Sequence, residues 1–452
     1  MKKLLTTTAL SLALISAGCG KKGDTPATQK PYVRISSNEK VVATASSSFN
    51  LYVTSNTNWT VEAMGQWLHT DKTAGNGNMT VKVSCEASDV ERRAGVVRLK
   101  AAGINPVDLI VTQTDRTFTN PIFNMPDPWV VKREDSYYIC KAQGAGVNLA
   151  RSGKLSQFGG TSSVWKCPTD AGAVKPWNVA NVWAPELHYI DGTWYIYYTA
   201  GRPHAETNSY GTQRSGVLRA KTDNPQGAYD DMGMLYTGNE WQSGIVATAA
   251  NTIYAIDLTV FKLNGQLYAV WSGQPTATDG SQRLYIATMS NPYTISSSRV
   301  EISKADQVWE KYSGSINEGP AILINEAKGK LFVVYSCNGS WTKQYRLGYL
   351  MLDMTKDPMV ASNWTKSSNY VFWRCDDTSD RDGVNGVGHC SFTKSPDETE
   401  DWIFYHVKHR NDNTWESGRS AFIQKFTWKA DGTPDFGTPV GWNEPVVIPS
   451  GE

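Results

Sequence analysis

Five segments of this chain repeat one pattern: a polar residue leads an aromatic and β-branched run, a short turn and a second aromatic-rich run. The leading residues are roughly 60 to 70 positions apart, a spacing that indicates an array of similar units. They are Asp127, Glu186, Asp257, Glu318 and His389. The chain is therefore expected to contain five related structural units.

Each unit turns at a short polar or glycine-containing cluster, such as Asp191-Gly192 or Asn264-Gly265, which is typical of β-hairpins. No unit contains ten or more residues of clean helical periodicity, so radially arranged four-stranded sheets fit better than strand–helix–strand units. We therefore predict an all-β fold with a five-bladed β-propeller over residues 118–452. The innermost strands of a propeller line its channel, so the five leading residues are expected to meet there.

Four carboxyl groups and an imidazole in one place indicate a functional site rather than a packing feature. Carboxylates brought together raise one another's pKa unless a proton, a substrate or a cation intervenes. Packing alone does not require such an arrangement.

Composition limits the classes of partner. At 452 residues, with 40% hydrophobic and 11% aromatic residues, the chain can bury more than one core. Lys and Arg number 44 against 43 Asp and Glu, which gives no basic surface for a polyanion, so no nucleic acid partner is expected. Aromatic residues in a neutral β protein suit stacking against sugar rings, although most of them are expected to pack inside the blades.

The N-terminus predicts export. Residues 1–18 carry two lysines and then an apolar run from Leu4 to Ile15, which is typical of a secretion signal. The small residues before Cys19 resemble a bacterial lipobox, which implies cleavage and lipidation at Cys19, although Ser16 replaces the usual leucine. The alternative is a soluble secreted protein in which Cys19 is unmodified.

Residues 19–30 are polar and predict a flexible tether. A lipid anchor would place the protein in the cell envelope, as an outer membrane lipoprotein facing the periplasm or the surface. Six further cysteines match no zinc spacing, so we expect mostly buried thiols with at most one or two disulfides.

Residues 31–115 alternate short strands with turns and predict a small immunoglobulin-like β-sandwich. The segments Asn58-Trp59-Thr60, Trp67-Leu68 and Val111-Thr112-Gln113 resemble the BACON domain, a module of secreted glycan-degrading proteins. Two roles are open for it, namely glycan binding and spacing of the next domain from a membrane. Trp59 and Trp67 lie in strand-like patterns and are expected in the core, which favours the spacer.

Inverting hydrolysis of a glycosidic bond needs a carboxylate that activates water and a carboxylic acid that protonates the leaving oxygen, roughly 6.5 to 9.5 Å apart. A third carboxylate near the acid helps to keep the acid protonated. Asp127, Asp257 and Glu318 can fill these roles.

Five motifs between about 120 and 450 resemble the successive blade motifs of glycoside hydrolase family 43. They read NPIFNMPDPWVV, VWAPELHYIDGTWYIYY, AIDLTVFKLNGQLYAVWSG, INEGPAILI and GVGHCSFTKSPD. The resemblance implies that Asp127 is the general base, that Asp257 tunes the pKa of the acid and orients the substrate, and that Glu318 is the general acid. It implies no cofactor for the chemistry.

The resemblance also implies roles around the axis. His389 matches a histidine that binds a central water or cation, often calcium, but Val387 and Cys390 replace the usual Pro and Asn. A hydrogen-bonded structural histidine is the alternative. Arg419 resembles a late-blade arginine that hydrogen-bonds a sugar hydroxyl beside the acid, so its expected contribution is positioning.

Two further residues are ambiguous. Trp183 forms either a wall of the sugar pocket or part of the blade packing. Glu186 is not one of the three acids, and a structural role is favoured over substrate positioning. The other histidines show no partner spacing and are expected to be non-catalytic; they are His69, His188, His204, His406 and His409.

The predicted function is exo-acting, inverting release of α-L-arabinofuranosyl residues from plant polysaccharides. A β-xylosidase is the alternative, followed by an endo-acting arabinanase. A non-catalytic sugar-binding lipoprotein is the alternative of another class, but a lectin gains little from burying three like charges. A serine peptidase is disfavoured because the sequence lacks a Gly-x-Ser-x-Gly elbow with a downstream Asp and His.

Overall fold

The computed structural model describes most of the chain after the N-terminal segment. The described ranges are 30–237, 252–376, 381–412 and 418–452. The expected signal sequence (1–18), Cys19 and the tether up to residue 29 lie outside them. Within these ranges no helix is both long enough and apolar enough to cross a membrane.

Residues 33–114 form two sheets around one hydrophobic core. The strands are β1 (Val33–Ile35), β2 (Glu39–Val42), β3 (Ser47–Ser55), β4 (Asn58–Met64), β5 (Leu68–Thr70), β6 (Ala74–Asn76), β7 (Met79–Cys85), β8 (Arg92–Ala101) and β9 (Ile104–Thr114). One sheet has the order β1-β3-β7-β5 and the other β2-β9-β8-β4-β6. Alternation of buried and exposed residues along β3 shows how each strand presents one apolar face to this core.

The two tryptophans of this unit are core residues. Trp59 is 2% exposed and Trp67 is 8% exposed, and both belong to the same buried cluster. Neither indole therefore presents a free face on which a sugar could stack.

The rest of the described chain forms five sheets in sequence order, with the outer strand β10 (Thr117–Thr119) before them. The first two sheets consist of β11 (Trp129–Arg133), β12 (Ser136–Ala142), β13 (Gly146–Ser152) and β14 (Ser162–Lys166), then β15 (Ala180–Ile190), β16 (Thr193–Gly201), β17 (Arg214–Ala220) and β18 (Tyr229–Met234). A short helix, α1 (His204–Thr207), follows β16.

The third sheet contains β19 (Ala255–Leu263), β20 (Gln266–Gly273), β21 (Arg283–Asn291), β22 (Thr294–Ile295) and β23 (Val300–Ser303). The fourth contains β24 (Asn317–Asn325), β25 (Lys330–Cys337), β26 (Arg346–Asp353) and β27 (Thr365–Lys366). The fifth contains β28 (Val384–Lys394), β29 (Asp401–His409), β30 (Ser420–Trp428) and β31 (Pro434–Asp435), after which β32 (Pro445–Val447) pairs with β10. Three short 3₁₀ helices complete the described elements: Val308–Glu310, Glu326–Lys328 and Ala361–Asn363.

Each sheet packs against the next, and the fifth packs against the first. Five separate buried clusters lie between neighbouring sheets, including one in which Tyr137 and Ile139 of β12 meet Trp402 and Phe404 of β29. The first strands β11, β15, β19, β24 and β28 also contact one another in that order, and β28 contacts β11. The sheets therefore close into a ring whose inner wall is made of first strands.

The N-terminal unit is joined to the fifth sheet by charged contacts. Glu444 accepts from Arg381 at 3.0 Å, and Lys40 of β2 lies 3.9 Å from the same carboxylate. Side-chain exposure at Glu444 is only 10%, so these contacts are better shielded from solvent than a surface ion pair.

The cysteines agree with the expectation of buried thiols. All six cysteines in the described ranges are free, and five of them are buried, whereas Cys167 is partly exposed. The ring therefore rests on packing between sheets rather than on disulfides within the described residues.

Close packing at the inner wall predicts a stability difference between two glycines. A Cβ at Gly388 would lie 2.3 Å from the Tyr345 ring, whereas a Cβ at Gly160 would meet no atom within 4 Å. Gly388→Ala should lower the free energy of unfolding by about 1–3 kcal/mol, and Gly160→Ala should change it by less than about 0.5 kcal/mol. Denaturant titration measures both, and equal values for the two variants would contradict this packing.

Candidate active site

A bulge marks the start of the first strand in four of the five sheets. In the third sheet, Ile256 pairs with Ser272 and Thr259 pairs with Val270, so β19 advances three residues while β20 advances two. The same shift occurs in the second, fourth and fifth sheets. One extra residue per strand bends the backbone there and re-aims the side chains.

The first residue of each bulge has a left-handed backbone. The φ angles are 40° at Ala184, 54° at Asp257, 56° at Gly319 and 41° at His389, and Asp127, just before β11, has a φ of 48°. Proline follows three of these five residues, and a bulge tolerates proline because its missing N–H is not needed for strand pairing.

The bulges correct the expected equivalence of the five leading residues. Asp127, Asp257 and His389 do occupy the same position, but Glu318 lies one residue before its bulge and Glu186 lies two residues after Ala184. The leading polar residues define the sequence repeat, whereas the left-handed residue at the bend defines the structural repeat. The expectation that all five side chains meet is therefore wrong for Glu186.

Six of the residues selected from the sequence line one cavity of about 470 Å³ at the inner wall. They are Asp127, Trp183, Asp257, Glu318, His389 and Arg419. Glu186 does not line this cavity. It is 2% exposed and its carboxyl oxygen lies 2.8 Å from Nε2 of His188 in the protein interior.

Asp127 lies among three basic side chains. Nη1 of Arg419 donates to its Oδ1 at 2.9 Å, and Nδ1 of His389 lies 3.3 Å from the same oxygen. Burial alone raises the pKa of Asp127, but Arg419 and His389 outweigh that effect and hold the pKa well below its usual value. Asp127 is therefore a carboxylate at neutral pH. The sequence did not anticipate that Arg419 would pair with this residue.

His406 is a contact of Asp127 that the sequence analysis missed. The backbone N–H of Asp127 donates to Nδ1 of His406 at 3.1 Å, so Nδ1 is the acceptor and the proton of the neutral ring is on Nε2. Burial lowers the pKa of His406 to about 4, although Asp127 opposes this effect. The ring is wholly buried and stacks on Tyr345 at 5.4 Å with an interplanar angle of 5°.

The contact at His406 belongs to a pattern that links neighbouring sheets. The accepting residue lies on the second strand of one sheet, opposite the first-strand residue that precedes the bulge. Its side chain accepts a hydrogen bond from the backbone N–H of the left-handed residue in the next sheet. Thr199 accepts from the N–H of Asp257 at 3.2 Å, and Ser336 accepts from that of His389 at 2.7 Å. His406 occupies this position in the fifth sheet and closes the ring at Asp127. Its register with Thr199 and Ser336 is the signal that could have identified it.

Asp257 has a different environment from Asp127. Its Oδ2 accepts from the backbone N–H of Gly319, the residue after Glu318, at 3.0 Å. Burial raises the pKa of Asp257 to about 7; His389 opposes this effect, and the carboxyls of Glu318 and Asp127 add to it. Asp127 and Asp257 thus occupy the same bulge position, yet the pKa of Asp127 is lowered and the pKa of Asp257 is raised.

Gly319 is required by a close approach as well as by its left-handed φ. A Cβ there would lie 3.0 Å from the His389 ring. The acid side chain of the fourth sheet therefore comes from the preceding residue, Glu318, which is 7% exposed.

Aromatic side chains form one side of the cavity. Trp183 packs against Tyr210 with 5.0 Å between ring centroids, and Tyr210 packs against His204 at 4.6 Å. Tyr210 and Trp341 also line the cavity, and Tyr210 is 47% exposed. Neither residue was selected from the sequence, because both lie outside the repeated motifs.

The residues around His389 do not make a calcium shell by themselves. Calcium takes six to eight oxygen ligands, and the described residues include no group of three or more His, Cys, Asp or Glu side chains that could hold a metal ion. Nδ1 of His389 faces the carboxyls of Asp127 at 3.3 Å and Asp257 at 4.0 Å. The two alternatives for His389, a ligand of a central water or cation and a hydrogen-bonded structural histidine, therefore both stay predictions.

The opposite environments of the two aspartates predict opposite changes in stability when their charges are removed. Asp257 has a folded pKa of about 7, above its unfolded value of about 3.9, so it destabilises the fold increasingly as pH rises between these values. Asp257→Asn removes this titration and keeps an acceptor for Gly319. It should gain about 4 kcal/mol relative to wild type between pH 4 and pH 8, since each pH unit between the unfolded and the folded pKa is worth about 1.4 kcal/mol.

Asp127→Asn is the matched control with the opposite sign. The pKa of Asp127 is lowered on folding, so its charge stabilises the fold fully above the unfolded pKa of about 3.9, and the variant should be less stable than wild type by a nearly constant amount from pH 4 to pH 8. Denaturant titrations at pH 4, 6 and 8 measure both variants. A difference between Asp257→Asn and wild type that does not change with pH would contradict the buried, protonated state of Asp257.

Comparisons with known proteins agree with this geometry. The model of the family "Glycosyl hydrolases family 43" matches residues 118–434. The chain is 35% identical over 332 residues to an extracellular exo-α-(1→5)-L-arabinofuranosidase of Streptomyces avermitilis, covering 72% of this chain and 64% of that protein. It is 32% identical over 331 residues to α-L-arabinofuranosidase 43 of Humicola insolens, covering 71% and 63%. The chain thus spans less than two thirds of the length of these curated relatives.

A solved structure shares the arrangement of sheets. The α-L-arabinofuranosidase from Lactobacillus brevis superposes with a TM-score of 0.62 and 28% identity, covering 72% of this chain and 98% of that one. The family model covers more than half of the 452 residues and includes all three acids of the cavity. This chain belongs to glycosyl hydrolase family 43.

Proposed function

We propose that this protein is an exo-acting α-L-arabinofuranosidase that hydrolyses its substrate with inversion at the anomeric carbon. The observation that carries the proposal is the electrostatic separation of three carboxyl groups in one cavity. An ionised Asp127 suits a base, whereas a carboxyl pair that retains a proton suits an acid. The two curated relatives are named as arabinofuranosidases, which supports the choice of arabinofuranoside.

In the proposed reaction, Asp127 is the general base. Its carboxylate removes a proton from a water molecule whose oxygen attacks the anomeric carbon. Arg419 and His389 keep this carboxylate ionised and orient it, which lowers its basicity but fixes its geometry. The bond to the leaving oxygen breaks as the new C–O bond forms.

Glu318 is the general acid that protonates the leaving oxygen. Burial raises the pKa of Asp257 to about 7 and the charge of Glu318 adds to this effect, so the pair holds a proton up to about neutral pH. Asp257 also accepts from the N–H of Gly319 and so fixes the backbone beside the acid. The reaction uses carboxyl groups and water alone, so its chemistry needs no cofactor.

The aromatic side of the cavity supports action on a terminal sugar. Trp183, Tyr210 and Trp341 line a cavity of about 470 Å³, which is in the range of small-molecule sites. Their ring faces can stack on sugar C–H groups. The proposed substrate is a terminal arabinofuranosyl residue of a plant glycan, and a β-xyloside is the alternative to be excluded.

We also propose how the chain is organised. Residues 118–452 are a five-bladed propeller whose blades are the five sheets, and residues 31–115 are an immunoglobulin-like, BACON-type spacer. Burial of Trp59 and Trp67 supports the spacer over a glycan-binding role. Residues 1–18 direct export, Cys19 carries the lipid, and residues 19–30 are the tether at the cell envelope; except for Lys30, these lie outside the described residues.

The direct test is release of 4-nitrophenol from the α-L-arabinofuranoside and from the β-D-xyloside. The kcat/KM of wild type should be about tenfold or more higher on the arabinofuranoside, because loss of one well-placed hydroxyl contact costs at least about that factor. Asp127→Asn should lower kcat by about 10²–10⁴-fold, the usual contribution of a general base. Asp108→Asn, which breaks an ion pair with Arg98 in the N-terminal unit, is the control and should retain full activity.

Three results would contradict the proposal. Preference for the xyloside would favour the β-xylosidase, and near wild-type activity of Asp127→Asn would remove it as the base. Absence of turnover on both substrates, together with measurable binding of arabino-oligosaccharides, would favour the sugar-binding lipoprotein.

A further inference from the structure

The residue before Glu318 is held by a buried polar network. Asn317 is 0% exposed; its Nδ2 donates to Oε1 of Glu310 at 3.0 Å and its Oδ1 accepts from Ser303 at 2.7 Å. Its backbone carbonyl accepts from Ser272 at 2.9 Å. Both polar ends of the amide and the adjacent carbonyl are therefore fixed.

Glu310 is a wholly buried carboxylate with many donors. It ends the 3₁₀ helix Val308–Glu310 and is 0% exposed. Besides the amide of Asn317, its Oε1 accepts from Tyr335 at 2.7 Å. Its Oε2 accepts from the backbone N–H of Asp306 at 3.1 Å and of Gln307 at 2.9 Å. A buried carboxylate is tolerated only when it is paired and hydrogen-bonded in this way.

Lys366 supplies the opposite charge. Its Nζ lies 3.1 Å from each oxygen of Glu310 and 2.9 Å from Oδ1 of Asp306, and its side chain is 15% exposed. Removal of either partner of such a pair leaves an uncompensated charge. The network therefore runs from Lys366 through Glu310 to the residue adjacent to the acid.

The corresponding position in the other four sheets is apolar. These residues stand two positions before the left-handed residue of each sheet, and all are buried: Met125, Val182, Ala255 and Val387. Ordinary packing of the inner wall is thus satisfied by an aliphatic side chain. Only beneath Glu318, among the five described inner strands, does the fold place an amide and a buried ion pair there.

Glu318 is consequently held from both sides along the chain. Successive strand residues point to opposite faces, so the amide of Asn317 is directed away from the cavity that Glu318 lines. On the other side, the N–H of Gly319 donates to Asp257 at 3.0 Å. The residue on each side of the acid is therefore fixed by a hydrogen bond to a buried carboxyl group, from the side-chain amide of Asn317 on one side and from the backbone N–H of Gly319 on the other.

We propose that the Glu310–Lys366 pair positions the general acid, acting through Asn317 to hold the Glu318 carboxyl at the leaving oxygen. The inference rests on the proposed function, in which Glu318 is that acid. Glu310 touches neither the cavity nor the reacting atoms, so it is a positioning residue. Acid catalysis fails quickly when the proton donor moves by a fraction of an ångström to one ångström.

Leaving-group dependence separates this role from a general structural one. An alcohol leaving group needs a proton in the transition state, whereas 2,4-dinitrophenolate leaves without one. A displaced acid should therefore slow cleavage of α-(1→5)-arabinobiose and spare 2,4-dinitrophenyl α-L-arabinofuranoside. A loosely folded enzyme should lose both activities in parallel.

The experiment compares kcat/KM of full-chain wild type and Glu310→Gln on the two substrates. The variant should lose about tenfold or more on arabinobiose and less than about threefold on the dinitrophenyl substrate, within the range of acid catalysis. Glu301→Gln is the matched control, because Glu301 lies on β23 beside Ser303 and pairs with Arg283 at 2.8 Å. It should match wild type on both substrates.

A second variant covers the case in which Glu310→Gln does not fold. Ser303→Ala removes the hydrogen bond to Oδ1 of Asn317 and leaves the ion pair intact. It should show the same selective loss on arabinobiose with a smaller factor. The two variants therefore test the network at two independent contacts.

Equal losses on both substrates in Glu310→Gln or Ser303→Ala, or no loss on either, would overturn the positioning role. If wild type cleaves neither arabinofuranoside, the proposed function itself is wrong and the positioning role fails with it. An active wild type with parallel losses in the variants overturns the positioning role alone.

Discussion

One extra backbone residue at the start of the first strands decides where the side chains of this site point. A left-handed conformation at a non-glycine residue costs about 1–2 kcal/mol, so its recurrence at Asp127, Asp257 and His389 needs compensation. Hydrogen bonds from the preceding sheet provide it, because the strained N–H groups donate to Thr199, Ser336 and His406. At these three junctions one sheet thus holds the bend of the next, and the contact between His406 and Asp127 makes closure of the ring a condition for the site.

Equivalent positions acquire different chemistry from their neighbours. Asp127 lies against Arg419 and His389 and stays ionised, whereas Asp257 lies close to Glu318 and keeps a high proton affinity. His389 lies between the two aspartates, 3.3 Å from one and 4.0 Å from the other. The fold supplies the shared position, and the charges around it give the two carboxyl groups the different proton affinities that the proposed mechanism uses.

The sequence predicted the all-β class and identified six of the residues that line the cavity, because hairpin turns and sequence motifs are local signals, but it did not identify Tyr210 or Trp341. It failed at Glu186, since polar character was used to align the repeats, whereas the left-handed residue, which proline follows in three of the five sheets, marks the structural register. It also missed His406 and Glu310. His406 contacts Asp127, 279 positions away, and this contact depends on how the strands pair. Glu310 contacts Asn317, 7 positions away, and this contact depends on the course of the loop between them.

The central claim is that Asp127 and Glu318 act on opposite sides of the anomeric carbon in a single displacement. Proton NMR of the first arabinose released from an α-L-arabinofuranoside tests it directly, because inversion and retention give different anomers before mutarotation. The β-anomer should appear first, with the α-anomer growing in later. Initial formation of the α-anomer would show retention and contradict the assignment of Asp127 as a base.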